Sequence, residues 1–431
     1  MISLAKALRV GRGDVVSFVG GGGKTTSVFR LAAELSAAGL RVVSTTTTHI
    51  SQEQVRMAPV SITLDEIDQL TTRLDQFGHC LMIGPPDGKG RVFGASSELV
   101  AALHARPDVD VVLVEADGSR SLPFKAPGQH EPVVPETTTV LCPIAGINSI
   151  GRPLDEAHVH RPELAAALAQ QQLGTSITPQ TLGRVLTHPQ GGAKQCPEGA
   201  RLVPMLNKAD TDEAISYAEE SAASMLAHAS VDTVIISTMT QDLPVRQAWA
   251  HTAGIVPAAG NATCYREAAR AALDAGLDPV IAVLSYQAEK VIAALAGLPV
   301  QLVCNQDFEA GQSSLLRKGL EALPVNTGAA VFLPAGQPFF TAEIIGALIR
   351  AHRQSFAPAC VPVCEGIRGN PVLFDKSIFR ELRELRCDAG ERELLEKYCN
   401  DIVTVPADRR VLLDIDTPEE YERQKIKAGS P

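Results

Sequence analysis

Along the first part of the chain, short apolar runs alternate with amphipathic stretches of helical length. VVSFVG is followed by SVFRLAAELSAAG and then LRVVSTTTT; VDVVLVEADG, RLVPMLNKAD and VDTVIISTMT come later. Runs rich in β-branched residues, separated by helix-length segments, predict βαβ units on a mainly parallel sheet. After TQDLPVRQAWAHTA the rhythm restarts with GIVPAAG. It continues through PVIAVLS, VQLVCN, AAVFLPAGQP and ACVPVCEG, with helical segments such as AEKVIAALAG between them. The fold class expected is α/β in two halves, residues 1–245 and 254–425, with the boundary near 244–253. No Gly/Ser-rich linker marks that boundary, so the halves are expected to pack together rather than swing freely.

Composition narrows the function. The 431 residues suffice for two or three cores, and the formal net charge of −10 argues against nucleic-acid or anionic-membrane partners, which call for basic stripes. No apolar run is long enough to span a membrane, and MISLAKALRVGRGD lacks the apolar block of a signal peptide. The nine cysteines are scattered, and Cys360 and Cys364 lie in a strand-like run with no second pair. Reduced thiols in a cytoplasmic protein are expected rather than a zinc site.

The candidate chemistry begins with SFVGGGGKTTSVF. A P-loop written G-x-x-x-x-G-K-S/T would need glycine where Phe18 stands. The four glycines Gly20, Gly21, Gly22 and Gly23 nevertheless lie between a strand and a helix. There, bare backbone N–H groups and a helix N-terminus can surround phosphate. Lys24 is expected to reach the β- and γ-phosphates, Thr25 to bind Mg²⁺, and Thr26 to cap or assist. The shorter G-x-x-G-K-T-T form resembles the loop of the Mur ligases.

Two further strand ends supply companions. VDVVLVEADG ends in Glu115, Asp117 and Gly118, where a Walker-B carboxylate would hold the metal or its water and a glycine N–H would meet the γ-phosphate. Lys24, Glu115 and Asp117 are the expected catalytic groups, and Thr25, Glu115 and Asp117 the expected metal ligands. MLNKAD places Asn207, Lys208 and Asp210 in the N-K-x-D order of a guanine-reading loop, which favours GTP over ATP. Thr45 to Thr48 are candidates for a switch-like metal or phosphate contact, with ordinary strand threonines as the alternative. His49 reads as a packed loop histidine. In EADGSRSLPFKAPGQHEPVVP, Arg120, Lys125, His130 and Glu131 sit among stiffening prolines, suited to an anionic acceptor or a partner protein. Arg120 and Lys125 are the substrate-binding candidates there. Nothing in the spacing of His160, Arg161, His188 and Lys194 makes them ligands.

GGGGKTT, TTTTHI, VEADGSRSLPFKAP, EPVVP, VHRPE and LNKAD, in that order, make the first half resemble the YqeC family, accessory proteins of selenium-dependent molybdenum hydroxylases. The resemblance implies a cytoplasmic P-loop NTPase-like protein that helps mature a labile molybdenum cofactor. It leaves a molybdenum hydroxylase apoenzyme as a candidate partner.

The second half resembles the MobA-like nucleotidyltransferases, with a Rossmann-like fold, through VPAAG, FEAGQSSLLRKGL, FLPAGQPFFT, GNPVLFD, CDAGER and LLDIDTPEE. In active relatives a cofactor phosphate attacks the α-phosphorus of a nucleoside triphosphate and releases pyrophosphate. By that resemblance Gly311, Ser313 and Ser314 lie where the base is contacted. Asn370, Asp388 and Arg392 lie near the acceptor, and Asp414 and Asp416 are metal candidates. Two departures count against catalysis. The S-x-R-M-G-x-x-K loop that holds the triphosphate is missing after Gly260, where Arg266 falls in a helical pattern, and LPAGQP has Gly336 where relatives have a metal-binding aspartate. The expected function is a GTP- or ATP-hydrolysing, Mg²⁺-dependent maturation factor whose second half recognises molybdopterin or nucleotide. An active molybdopterin cytidylyltransferase and a non-catalytic cofactor carrier are the alternatives.

Overall fold

The computed structural model describes residues 2–88, 90–257, 262–284, 289–306, 311–337, 339–385 and 389–413. The chain divides into two units, Met1–Trp249 and Ala250–Pro431. Both are mixed α/β. No described helix is long and apolar enough to cross a membrane.

The first unit is built on a parallel sheet whose main described strands are β1 (Asp14–Gly20), β2 (Val42–Thr46), β3 (Ser61–Thr63), β4 (His79–Ile83), β5 (Val111–Glu115), β6 (Val140–Gly146), β7 (Met205–Asn207) and β8 (Thr233–Ser237), with the short strand Arg201–Leu202 also paired to β6. Their spatial order is β3–β4–β2–β5–β1–β6–β7–β8. The middle strands are buried along nearly their whole length, as expected of a sheet covered on both faces. The chain leaves β1 toward β2 on one side and later crosses to β6 on the other. The carboxyl end of β1 is therefore a topological switch point, where such sheets form ligand crevices. Two buried hydroxyls of this core are paired, Ser17 with Thr138 at 2.7 Å and Ser44 with His79 at 2.7 Å.

Helix α1 spans Lys24–Ala37, with Gly23 at its N-cap and Leu31 and Leu35 buried. The apolar periodicity marks SVFRLAAELSAAG as the helix, but the first turn begins three residues earlier. Lys24, Thr25 and Thr26 thus belong to the helix N-terminus.

Two features of the second unit depart from the sequence reading. Strand β9 runs continuously over Val245–Pro257, so the segment expected to join the halves is itself largely strand. The sheet order is β11 (Gln301–Cys304), β10 (Val280–Leu284), β9, β12 (Thr327–Phe332), β14 (Val372–Asp375), β13 (Ala359–Cys364) and β15 (Val403–Pro406). Strand β14 runs antiparallel to both its neighbours, and the other pairings in this order are parallel. VQLVCN, read as a buried run, forms the mostly exposed edge strand β11.

Candidate functional site

Each glycine of the loop after β1 is needed for a stated reason. A Cβ would lie 2.3 Å from the Ile144 carbonyl oxygen at Gly20, 2.6 Å from that of Leu122 at Gly21, and 2.4 Å from the Gly146 nitrogen at Gly22. At Gly23 it would lie 2.4 Å from Asn207 Nδ2. Gly20, Gly22 and Gly23 also have positive φ, at 94°, 86° and 138°. Phe18, at the place of the expected leading glycine, is a buried residue of β1. The glycine loop is closed against β6 by the Gly21 N–H donating to the Ile144 carbonyl at 2.9 Å.

The side chains that follow converge on a cleft of about 650 Å³. Lys24 is buried, its Nζ donating to the Gly20 carbonyl at 2.6 Å and lying 3.3 Å from Asp117 and 3.7 Å from Glu115. Thr25 Oγ1 donates to Glu115 Oε2 at 2.7 Å. Burial holds the Glu115 carboxyl above its ordinary range, against the pull of Lys24 and Thr25. Thr26 is exposed and lines the cleft.

On the other side of the loop, Asn207 Nδ2 donates to the Gly22 carbonyl at 2.8 Å. Asn207 Oδ1 accepts from Met239 N at 3.2 Å and Ser237 Oγ at 3.3 Å. Lys208 has a left-handed φ of 66°, and it lines the cleft with Asp210, Met239 and Thr240. The loops after β1, β7 and β8 thus form one hydrogen-bonded assembly.

Several of the candidate groups have partners within the protein. Asp117, expected as a catalytic group and metal ligand, has its side chain 2% exposed. Its carboxylate accepts the Gly20 N–H at 3.0 Å and lies 2.9 Å from Lys125 Nζ as well as beside Lys24. It holds the glycine loop and two lysines in place. Lys125 is equally buried. Its Nζ donates to the Gly118 carbonyl at 2.6 Å and to Glu131 at 2.7 Å. Glu131 also accepts from Arg161 at 2.8 Å, and Lys194 donates to the carbonyls of Gly128 at 2.6 Å and Gln129 at 3.1 Å. Although burial pushes the Glu131 carboxyl up, hydrogen bonds from Arg161 and Lys125 hold it at about 2. The threonine hydroxyls serve the scaffold: Thr45 donates to the Met82 carbonyl, Thr46 to that of Glu115 and Thr47 to that of Val133.

The sequence reading missed Gln54. Ser51 and Gln54 form a capping box, and the same Gln54 amide donates to Thr25 Oγ1 at 3.0 Å. The S-x-x-Q pattern was a visible helix-start signal, but its reach to Thr25 depends on the sheet. Arg91 of the ribbon formed by His49–Ser51 and Arg91–Phe93 also lines the cleft, and the His49 ring stacks on Phe93 with centroids 4.5 Å apart.

In the second unit, Ser314 Oγ donates to the Gly311 carbonyl at 2.7 Å and accepts from Asn305 at 2.9 Å, beside a recess of about 350 Å³ that Arg317 and Lys318 line. Ser313 is buried, and Asn370 donates to Gln337 at 2.9 Å. Arg266 donates to the carbonyls of Ala294 and Ala296, completing the end of helix Glu289–Leu295. Asp388, Asp414, Asp416 and Ala258 to Gly260 lie outside the described residues, as does the side chain of Arg392. Among the described residues no group of three or more His, Cys, Asp or Glu side chains is placed to hold a metal ion.

The uncharacterized protein YqeC of Escherichia coli is 34% identical over 213 residues, which cover 48% of this chain and 81% of that protein. The chain belongs to the YqeC family. The family model, YqeC protein, matches residues 16–163, and a second model, the MobA-like NTP transferase domain, matches residues 254–402. The YqeC match takes in the glycine loop, Glu115 and the loop to Glu131, whereas Asn207 to Asp210 lie beyond it. Among solved structures, Rv0371c of Mycobacterium tuberculosis is 25% identical, covering 40% of this chain and 96% of that one, with a TM-score of 0.37. Its complex with manganese is 25% identical, covering 40% and 97%, with a TM-score of 0.36. The 2-C-methyl-D-erythritol 4-phosphate cytidylyltransferase of Thermus thermophilus is 16% identical, covering 41% and 98%, with a TM-score of 0.33.

Proposed function

We propose that the YqeC-family half is a P-loop nucleoside triphosphatase, using GTP in preference to ATP. In this reading it serves the maturation of a selenium-dependent molybdenum hydroxylase cofactor. The observation that carries the nucleotide reading is the latch between Asn207 Nδ2 and the Gly22 carbonyl. It joins the base-reading loop to the glycine cradle, so one cleft presents both phosphate-binding amides and a base-facing carboxylate, Asp210. The cofactor assignment rests on the family resemblance.

In this reading the loop amides and the α1 N-terminus receive the phosphates, and Lys24 turns from Gly20 and Asp117 to their outer oxygens. Asp117 keeps the cradle in shape through the Gly20 N–H. The Thr25–Glu115 pair offers the hard oxygen donors that Mg²⁺ prefers, and these two residues would hold it. Bound there, the ion would neutralise charge on the phosphates. The second half serves as a recognition domain for molybdopterin or nucleotide. Gly336 supplies no carboxylate to a metal, which weighs against cytidylyl transfer there.

Calorimetry with Mg²⁺ and GTP or ATP tests the proposal. Saturable binding to the full chain, weakened about a hundredfold in Lys24→Ala by loss of a charge-assisted contact, is the expected result. Heat from neither nucleotide would overturn it. Tight binding without phosphate release would favour a carrier, and pyrophosphate release dependent on CTP and molybdopterin would favour a transferase.

A further inference from the structure

The lining of the first unit's cleft is mixed in chemistry. Lys208, Asp210 and Thr240 line it, tied to the glycine loop through Asn207. His49, Arg91 and Arg120 line the same cleft. A separate contact locates the ribbon that carries His49 and Arg91, since Gln54 Nε2 donates to Thr25 Oγ1 at 3.0 Å and Gln54 lies in the short helix that follows His49–Ser51. The ribbon therefore stands beside the hydroxyl that faces the terminal phosphates in the reading above.

Two carboxylates of the cleft lining, Glu115 and Asp117, are engaged by Thr25, Lys24 and Lys125. Arg91 is steadied by Asp87, Nε to Oδ2 at 3.0 Å. Arg120 is exposed on the cleft wall and makes no ion pair among the described residues. Arg120 and Ser121 both adopt left-handed backbone, with φ of 51° and 62°. Non-glycine residues hold that conformation only where their surroundings impose it. Just before them in the chain is Gly118, to whose carbonyl Lys125 Nζ donates at 2.6 Å.

Resting on the glycine loop as a phosphate cradle, we propose that His49, Arg91 and Arg120 bind a small tetrahedral oxyanion, free or as the head of a phosphate monoester, that accepts the nucleotide's terminal phosphoryl group in place of water. An acceptor oxygen bonds to the γ-phosphorus as the bond to the β–γ bridging oxygen breaks, and the electron pair leaves on the nucleoside diphosphate. An acceptor that is already anionic needs no general base. Two guanidinium groups offset the repulsion between two anions brought together. Free phosphate would yield pyrophosphate, and a monoester would yield a diphosphate ester.

The full chain, saturated with Mg²⁺ and the β,γ-imido analogue of GTP or ATP, is titrated calorimetrically with inorganic phosphate and separately with glycerol 3-phosphate. At least one should bind saturably. Arg120→Ala should weaken that second anion about tenfold relative to the analogue, with partial recovery in Arg120→Lys; Arg91→Ala makes the same comparison if the first variant does not fold. With γ-labelled nucleotide, label in pyrophosphate identifies free phosphate as the acceptor, and label in a diphosphate ester identifies the monoester. The proposal is overturned if the analogue binds but neither anion does. Wild-type anion binding in both alanine variants, or label only in orthophosphate at saturating acceptor, overturns it too. Failure of the analogue itself to bind removes the cradle reading, and this proposal with it.

Discussion

At the scale of single residues, the four glycines answer to packing. Gly20 has a φ of 94°, and its would-be Cβ falls 2.3 Å from a backbone oxygen of β6 that belongs to the sheet and cannot yield cheaply. Gly20→Ala is expected to destabilise the first unit by about 2–4 kcal/mol through overpacking and strained φ, read as a lower urea midpoint. His79 offers a pH test of the core. Burial beside Ser44 lowers it from 6.5 to about 4, so the folded state prefers the neutral ring. Its contribution is complete above pH 6.5 and is lost as the pH falls toward about 4. That amounts to roughly 3 kcal/mol at about 1.4 kcal/mol per unit. Urea midpoints measured from pH 7 to 4 should show this loss, and His79→Gln should flatten the profile.

At the scale of elements, the site is an agreement between strand ends. The loop after β1 supplies the cradle, that after β5 supplies Glu115 and Asp117, and those after β7 and β8 supply Asn207, Asp210 and Met239. All are parallel strands, so their carboxyl ends open on the same edge of the sheet. Asp210 lines the cleft without sharing the Asn207 latch. Asp210→Asn is therefore expected to leave the fold intact and to reduce any preference for GTP over ATP by about tenfold, as loss of an acceptor for guanine's N–H groups. Competition binding of the two nucleotides measures this, and an unchanged ratio would refute the base assignment. In the loop from Ala116 to Val134, Asp117, Lys125 and Glu131 pair with one another or with Arg161. Arg120 lines the cleft and makes no ion pair among the described residues.

At the scale of the molecule, a YqeC-family half is joined to a MobA-like NTP transferase domain on one chain, and the two halves carry their residues differently. The first unit gathers its candidate groups into one cleft. In the second, Gly311 to Ser314 are bonded to one another and to Asn305, while Asn370 is held by Gln337. Gly336→Asp by itself is expected to confer no CTP-dependent pyrophosphate release, because the triphosphate loop after Gly260 is missing from the sequence as well. A coupled pyrophosphate assay with CTP and molybdopterin checks this; activity in the unaltered chain would reverse the view of that half. By itself the sequence determined the α/β rhythm of both halves, the placing of the glycine run where a strand gives way to a helix, and the order of the companion motifs. Periodicity, bare backbone and chain order are local properties that residue types express directly. Only the tertiary structure decided which charged and hydroxyl groups face the cleft and which hold it together. Asp117 meets Gly20 across 97 residues, and Gln54 reaches Thr25 across 29. Whether a carboxylate binds a ligand or a neighbouring lysine is a matter of distance in space, which spacing along the chain does not set.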